Sequence, residues 1–270
     1  MKVFDIHAHY FPDVIAEKAL ACLVENSGVD GSPPLTPCYD GTRLGLIQLM
    51  NDSNISISLN LPVATRATQV DSINQVMISQ NKAPVYNFGS IHPDTPNKLE
   101  TLLHLKNCGI RGIKLHPEYQ SFQLEDPRVL EIYEICQDLN LIIIFHCGKD
   151  GSYLPPFNSS PRRLLEIQNK FPLLKLVGGH FGGLGMWDAV EEFLVGKKIY
   201  LDTSIFLQSC SQKQIVSMIE KHPEDYILFG SDAPWGNPKE SLDILLDLPI
   251  SSELKKKICW NNSMKLLDLV

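Results

Sequence analysis

The sequence predicts an α/β fold, a single (β/α)8 TIM barrel, on two observations. Short β-rich apolar runs alternate with segments of helical periodicity along all 270 residues, as parallel strands alternate with their crossover helices. The ends of successive runs recur at intervals of about 23 to 34 residues, the length of one βα unit. A doubly wound open sheet is the structural alternative. In such a sheet the ligand site lies at the one point where the strand order reverses, so the polar strand ends should be concentrated there. In this sequence, polar residues end several strands that are spread along the chain.

Eight runs fit the strand pattern. They lie at 2–7, 54–61, 85–91, 112–116, 141–146, 174–180, 198–203 and 226–232. A helical pattern lies between most of them, for example over 128–139, where apolar residues recur near helical spacing. Because no Gly-, Ser- or Pro-rich linker divides the chain, residues 1–270 are expected to form a single domain.

The interval between the first two runs is the longest and contains an irregular segment, 26–41, that is rich in Gly and Pro. In a barrel, the loops that follow the strands build the active-site face. The segment is therefore expected either to shape a substrate pocket or to be a tolerated surface insertion.

Composition excludes several classes of protein. A net charge of −7, from 24 Lys and Arg against 31 Asp and Glu, disfavours a nucleic-acid partner. No apolar run approaches the roughly 20 residues needed to cross a bilayer, and the N-terminus lacks the apolar region of a secretory signal. Seven cysteines without a CxxC pair are expected to be free thiols. We predict a cytoplasmic protein that binds a small molecule, with neither a membrane nor a nucleic acid as partner.

Asp5, His7 and His9 alternate at the end of the first predicted strand. Because strand side chains alternate between two faces, all three are expected on one face, with Asp5 one step deeper. Two imidazoles at this spacing on a rigid strand can bind zinc, iron or nickel with little reorganisation. Alone, such a pair is weak evidence, since it also arises on polar surfaces.

Polar residues also end three other predicted strands. His146 follows an apolar run, His180 follows another, and Asp232 ends the last one. Barrel enzymes keep their catalytic groups at the carboxyl ends of their strands, where these side chains would meet. A set of structural histidines that are hydrogen-bonded to loops is the less favoured interpretation.

These residues and the motifs around them resemble the amidohydrolase superfamily. The motifs are RGIKLHP at 111–117, GHFGG at 179–183 and GSDAPWG at 230–236. The chain is most similar to the amidohydrolase-related (amidohydrolase 2) branch, which includes the aminocarboxymuconate-semialdehyde decarboxylase type. The resemblance covers nearly the whole chain and is specific for family and metal site, but not for substrate.

The resemblance implies a divalent metal, most often one Zn²⁺ per chain, with His7, His9, His146 and Asp232 as ligands and water in an open position. Asp232 would be catalytic and accept a proton from that water, and His180 would be a catalytic acid or base beside it. A barrel that keeps a metal only for structure is a weaker alternative, because structural zinc sites are usually closed and rich in cysteine.

The fourth strand leaves the number of metal ions open. Lys114 and His116 alternate onto one face and are both expected in the barrel mouth. Binuclear members of the wider superfamily bridge two ions through a carboxylated lysine or a glutamate there, and Lys114 could do the same, with His146 and His180 as ligands of the second ion. A free Lys114 is preferred, because one metal is usual in the similar branch.

Four residues are predicted to bind substrate: Arg66, Lys149, His116 and Trp235. The main functional hypothesis is a metal-dependent hydrolase that adds activated water to an ester, lactone or amide carbonyl of a small molecule. The alternative is a metal-dependent, non-oxidative decarboxylase of an aromatic or unsaturated carboxylic acid. Arg66 or Lys149 near the metal would favour decarboxylation, and a pocket without a second cation would favour hydrolysis. A homodimer is possible, since barrels of this branch often dimerise.

Overall fold

A computed structural model describes residues 1–269 and contains eight parallel barrel strands, which confirms the predicted fold. The third strand is interrupted at Phe88, so that it appears as two segments. The segments in chain order are β1 (Phe4–Ala8), β2 (Ile57–Asn60), β3 (Val85–Asn87), β4 (Gly89–Ser90), β5 (Gly112–Leu115), β6 (Ile142–Phe145), β7 (Lys175–Gly178), β8 (Tyr200–Asp202) and β9 (Ile227–Leu228). All eight predicted strand positions contain one of these strands.

The sheet closes on itself between β1 and β9. The amide of Ile6 donates to the carbonyl of Phe229 over 2.9 Å, and the amide of Asp232 donates to the carbonyl of His7 over 2.7 Å. The amide of His9 continues the pairing, donating to the carbonyl of Ala233 over 2.7 Å. The closure therefore joins the backbones of the first and last strand ends, which carry His7, His9 and Asp232.

Alternation along the strands separates two apolar clusters. Ile142 and Ile144 of β6 belong to the cluster inside the barrel, whereas Ile143 and Phe145 belong to the larger cluster between strands and helices. By the same alternation, the side chain of His146 points to the inside of the barrel, and that of Cys147 points to the helix side, where its thiol is buried.

The helices cover the outside of the barrel. They are α1 (Ala16–Glu25), α2 (Arg43–Asp52), α3 (Val70–Ser79), α4 (Lys98–Asn107), α5 (Pro127–Asp138), α6 (Pro161–Lys170), α7 (Trp187–Phe193), α8 (Phe206–Ser209), α9 (Gln212–Lys221), α10 (Pro238–Asp247), α11 (Ser252–Lys256) and α12 (Asn262–Leu266). The N-cap side chains of Asp126 and Ser160, each followed by proline, fix the starts of α5 and α6. Within residues 1–269, every helix is too short or too polar to cross a bilayer.

The irregular segment between α1 and α2 lies against loops at the carboxyl ends of the strands. The amide of Val29 donates to the carbonyl of Gly151 over 2.8 Å, and the amide of Cys38 donates to the carbonyl of Pro234 over 2.8 Å. The hydroxyl of Tyr39 donates to the carbonyl of His9. Of the two alternatives for this segment, a wall of the barrel mouth fits these contacts.

Candidate functional site

The inner set, defined as His7, His9 and Asp232, lies where the barrel closes. Asp232 Oδ1 is 3.3 Å from His7 Nε2 and 3.1 Å from His9 Nε2. One ligand atom from each of the three residues lies within 4.8 Å of the others, which is close enough for one metal ion to bind all three. The two nitrogens and the carboxylate are donors that a divalent transition metal accepts.

The Nδ1 atoms of His7 and His9, which lie on the far side of the rings from Asp232, each donate a hydrogen bond to an acceptor. His7 Nδ1 donates to Asp202 Oδ2 over 2.9 Å, and His9 Nδ1 donates to the carbonyl of Leu61 over 2.8 Å. In the neutral rings, the Nε2 atoms therefore carry lone pairs, and these face Asp232. Such outer hydrogen bonds are typical of metal-ligating histidines, so the inner set fits a divalent metal.

Lys114 of β5 adds a buried cation to this arrangement. Its side chain is almost fully buried, and its Nζ lies 2.9 Å from His7 Nε2. Burial lowers the pKa of Lys114 to about 8, although Asp202 and Asp232 act in the opposite direction. In the metal-free site the ammonium is therefore mostly charged at neutral pH, and it donates to the Nε2 lone pair of His7.

Burial and the charge of Lys114 lower the pKa of His7 to about 3. Burial would raise the pKa of Asp232, but His180, His9 and His7 together hold it far below its usual range. The imidazole is thus neutral and the carboxylate ionised near pH 7, which are the forms that bind metal.

A network of hydrogen bonds joins the inner set to His180. Asp202 accepts from His7 Nδ1 and, over 3.2 Å, from the backbone amide of His180. The hydroxyl of Ser204 donates to the same carboxylate, and His180 Nδ1 lies 3.3 Å from the carbonyl of Ser204.

His180 and Asp232 have φ angles of 54° and 68°, in the left-handed region that non-glycine residues seldom adopt. Backbone strain at both predicted catalytic positions is common at functional sites.

The outer set, defined as His116, His146 and Asp150, lies beside the inner set. His116 Nε2 is 3.3 Å from Asp150 Oδ2, and the rings of His116 and His146 stack with centroids 4.1 Å apart. One ligand atom from each of the three residues again lies within 4.8 Å of the others. His146 Nδ1 is 3.0 Å from His180 Nε2, so the two sets are connected through His180.

The structure does not bring all of the predicted site residues together. Three of the four predicted metal ligands form the inner set, whereas His146 groups with the outer set. His116 lies in the mouth, but Arg66 and Lys149 are exposed, and Trp235 is half-buried beside Asp232.

The expectation for Asp5 is wrong. A register shift between Asp5 and Ala8 adds a residue to β1, so the strict alternation fails there. Asp5 binds Ser231 instead, accepting from its amide over 2.9 Å and from its hydroxyl over 2.6 Å. Ile6 takes the inward position below His7, in the inner apolar cluster.

Sequence analysis missed three residues of the site. Asp150 and Glu118 lie in loops after β6 and β5, where no periodicity predicts side-chain direction. Ser204 follows β8 and carried no motif. Asp202 ends β8, and its carboxylate accepts from His7 Nδ1.

Comparison with known proteins identifies the family. The amidohydrolase family model matches residues 4–269. The chain belongs to the amidohydrolase-2 family. Membership makes it an enzyme, and the inner set supplies donors that suit the divalent metal this family uses.

Solved structures agree on the fold. An uncharacterised TIM-barrel protein from Bordetella bronchiseptica aligns with a TM-score of 0.78 at 16% identity, over 99% of each chain. The 2,6-dihydroxybenzoate decarboxylase from Rhizobium has a TM-score of 0.72 at 14% identity, over 100% of this chain and 99% of that one. A dihydroxybenzoic acid decarboxylase from Polaromonas, solved with bound manganese and the inhibitor 2-nitroresorcinol, has a TM-score of 0.72 at 17% identity, over 99% and 97%. None of the curated proteins matches the sequence significantly.

Proposed function

We propose that this protein is a metal-dependent, non-oxidative decarboxylase of a small aromatic or unsaturated carboxylic acid. The observation that carries the proposal is the buried ammonium of Lys114, 2.9 Å from His7 Nε2 in the inner set. Decarboxylation needs a cationic pocket for the carboxylate that departs. Arg66 and Lys149, which were expected to supply it, are exposed, and Lys114 is the cation that lies at the site.

His7, His9 and Asp232 would hold the divalent ion, and we propose zinc because two imidazoles and a carboxylate suit it. Manganese, which is bound in the Polaromonas decarboxylase, is the competing choice. When bound, the ion supplies a Lewis acid that stabilises negative charge on a substrate oxygen. His146 remains the fourth candidate ligand, although its nitrogens lie against His180 and Lys149.

Lys114, Asp232 and His180 would carry out the other steps of the reaction. Lys114 orients the substrate carboxylate by charge and hydrogen bonding. When the carbon–carbon bond breaks, carbon dioxide leaves, the electron pair stays on the substrate carbon, and that carbon takes up a proton. We assign this proton transfer to Asp232, which is ionised at neutral pH and would first take a proton from a substrate hydroxyl or from solvent and then deliver it to the carbon, with His180 stabilising the charge that develops in the mouth. No organic cofactor is required.

An aromatic substrate is supported by rings at the mouth. The ring of Tyr119 stacks on His116 with centroids 3.8 Å apart, and His116 stacks on His146. Flat faces of this kind favour a flat, conjugated ligand. Two of the similar solved structures are decarboxylases of dihydroxybenzoates, and we extend that substrate class to this chain as a proposal.

Hydrolysis of an ester, lactone or amide is the second candidate. It is favoured by the position of Asp232, whose Oδ1 lies within 3.3 Å of both inner imidazoles and could accept a proton from water at that point. The same residues would serve both reactions. The role of Lys114 distinguishes them, because hydrolysis of a neutral ester or lactone needs no carboxylate anchor.

The test is a paired screen of the zinc-loaded and manganese-loaded protein. One panel holds hydroxylated benzoic acids, assayed for bicarbonate release, and the other holds lactones and aryl esters, assayed for acid release. We expect turnover in the first panel, and a loss of that turnover in Lys114→Met with metal content unchanged. Turnover confined to the second panel, and retained in Lys114→Met, would establish the hydrolase instead.

A further inference from the structure

We propose that Ile205 is a specificity-determining residue, whose side chain forms an apolar wall of the mouth and selects single-ring acids over fused two-ring acids. The class of ligand, a planar aromatic acid, rests on the proposed function. The inference adds the residue that selects among such acids by size. Three features of Ile205 carry it: its backbone conformation, its partial exposure and its position in the mouth.

The backbone of Ile205 is strained. Its φ of 58° and ψ of −25° lie in a region of positive φ where a β-branched residue is an outlier. The residue forms the centre of a tight turn, which the amide of Phe206 closes by donating to the carbonyl of Ser204 over 2.6 Å. Glycine would adopt this turn without strain, because it has no Cβ. The turn therefore does not explain why an isoleucine stands here.

Packing of the core does not explain it either. Ile205 is only half-buried, whereas the next two residues, Phe206 and Leu207, are buried and belong to the cluster between strands and helices. The exposed part of the Ile205 side chain gains no hydrophobic stabilisation from that core. Backbone strain that the fold does not require is typical of residues that serve a site.

Ile205 lies between the segments that carry His180 and Asp232. The hydroxyl and the carbonyl of Ser204, the residue before it, lie 3.0 and 3.3 Å from His180 Nδ1. On the other side, Cδ1 of Ile205 packs against the bare backbone of Gly236, where an added Cβ would lie 3.0 Å from it. The amide of Gly236 donates to the carbonyl of Asp232 over 3.2 Å. The side chain thus covers the space between the ends of β8 and β9.

The opposite wall of the mouth is aromatic. In the order of the sheet, β8 is the third strand after β5, so in a barrel of eight strands their ends lie nearly across the mouth from each other. The loop after β5 carries the stacked rings of His116 and Tyr119. A flat ligand that lies against these rings extends across the mouth toward Ile205. The branched side chain therefore limits the width of the ligand.

The experiment compares the binding of 2-hydroxybenzoate and 1-hydroxy-2-naphthoate to the zinc-loaded protein by calorimetry, which requires no turnover. We expect the wild type to prefer the single-ring acid. In Ile205→Ala and Ile205→Gly, the ratio of the two dissociation constants should shift by about tenfold toward the two-ring acid. Ile205→Val keeps the branch at Cβ and should keep the ratio of the wild type.

Ile73, a partly buried residue of α3, provides the matched control. Ile73→Ala and Ile73→Gly remove the same side chain on the outside of the barrel, so the ratio should stay at its wild-type value. If neither acid bound the wild type, the proposed function and this inference would fail together. If both bound and the ratio stayed unchanged in Ile205→Ala and Ile205→Gly, only the role of Ile205 would fail.

Thermal unfolding of the same four variants tests the strain without any ligand. Alanine and glycine both remove the wall, but only glycine fits a positive φ without strain. Ile205→Gly should therefore unfold about 2 °C above Ile205→Ala. In a helix the order is reversed, so Ile73→Gly should unfold below Ile73→Ala. An Ile205→Gly variant less stable than Ile205→Ala would show that the turn is not strained, and would overturn the inference.

Discussion

The inner and outer sets contain the same kinds of donor, two imidazoles and one carboxylate, but the chain holds them differently. His7 lies in β1, His9 and Asp232 follow β1 and β9, and backbone hydrogen bonds of 2.7 Å join these segments. In the outer set, Asp150 belongs to the loop between β6 and α6. Ligand atoms fixed by the closure of a sheet need little reorganisation on binding, whereas a loop must be ordered at a cost in entropy. We therefore expect tighter metal binding at the inner set.

Replacing a metal ligand of the inner set should reduce catalytic activity more than any other substitution considered below. Asp232→Asn removes both the charged ligand and the proton acceptor, so we expect kcat/KM to fall by about 10³-fold or more. Steady-state kinetics and metal analysis on the same sample check this. Asp150→Asn is the comparison variant and should lose far less activity. Equal losses in the two variants would mean that the sets do not differ in function.

Lys114→Met should reduce kcat/KM for decarboxylation by about a hundredfold, because a buried ammonium that holds the carboxylate is removed. The inner set should still bind its ion, since Lys114 is not a ligand. Kinetics with a hydroxybenzoate, alongside metal content, measure both quantities. Unchanged decarboxylation in a correctly loaded variant would contradict the role assigned to Lys114.

Asp202→Asn tests the positioning of His7. The amide keeps the shape of the side chain but can no longer hold His7 Nδ1–H with a charge, so metal affinity of the inner set should fall by about tenfold to a hundredfold. Competition titration with a chelator measures this affinity. Asp138→Asn makes the same change at an exposed position of α5 and should keep the affinity of the wild type, and an Asp202→Asn variant that also keeps it would contradict the prediction.

The smallest effect is expected at Asp5, beneath the inner set, and it concerns the pH dependence of the free energy of unfolding. Burial raises its pKa from 3.8 to about 7. The raised pKa contributes stability that is fully present below about pH 4 and is lost as the pH rises through 7, because the native state then binds more protons than the unfolded state. Asp5→Asn should remove this dependence, which amounts to about 2 kcal/mol between about pH 5 and about pH 7. Denaturant unfolding of both proteins without metal measures it, and parallel pH profiles would refute it.

The same contrast explains what the sequence could predict. The periodicity of the strands predicts the barrel, and the polar residues at the strand ends predict the inner set. Both predictions work because the barrel and the inner set depend on the regular backbone geometry of strands. The expectation for Asp5 failed at the register shift in β1, since one inserted residue reverses the alternation. Asp150 and Glu118 could not be predicted, because the direction of their side chains depends on loop conformations and on contacts with distant residues such as Asn158.

The central claim is that His7, His9 and Asp232 bind one divalent ion where the barrel closes. X-ray diffraction at the zinc absorption edge, from crystals of protein loaded with zinc, tests it most directly. The account predicts an anomalous peak about 2.0 to 2.2 Å from His7 Nε2, His9 Nε2 and a carboxylate oxygen of Asp232. Strong zinc binding in solution, with no anomalous peak within bonding distance of these three residues, would contradict it.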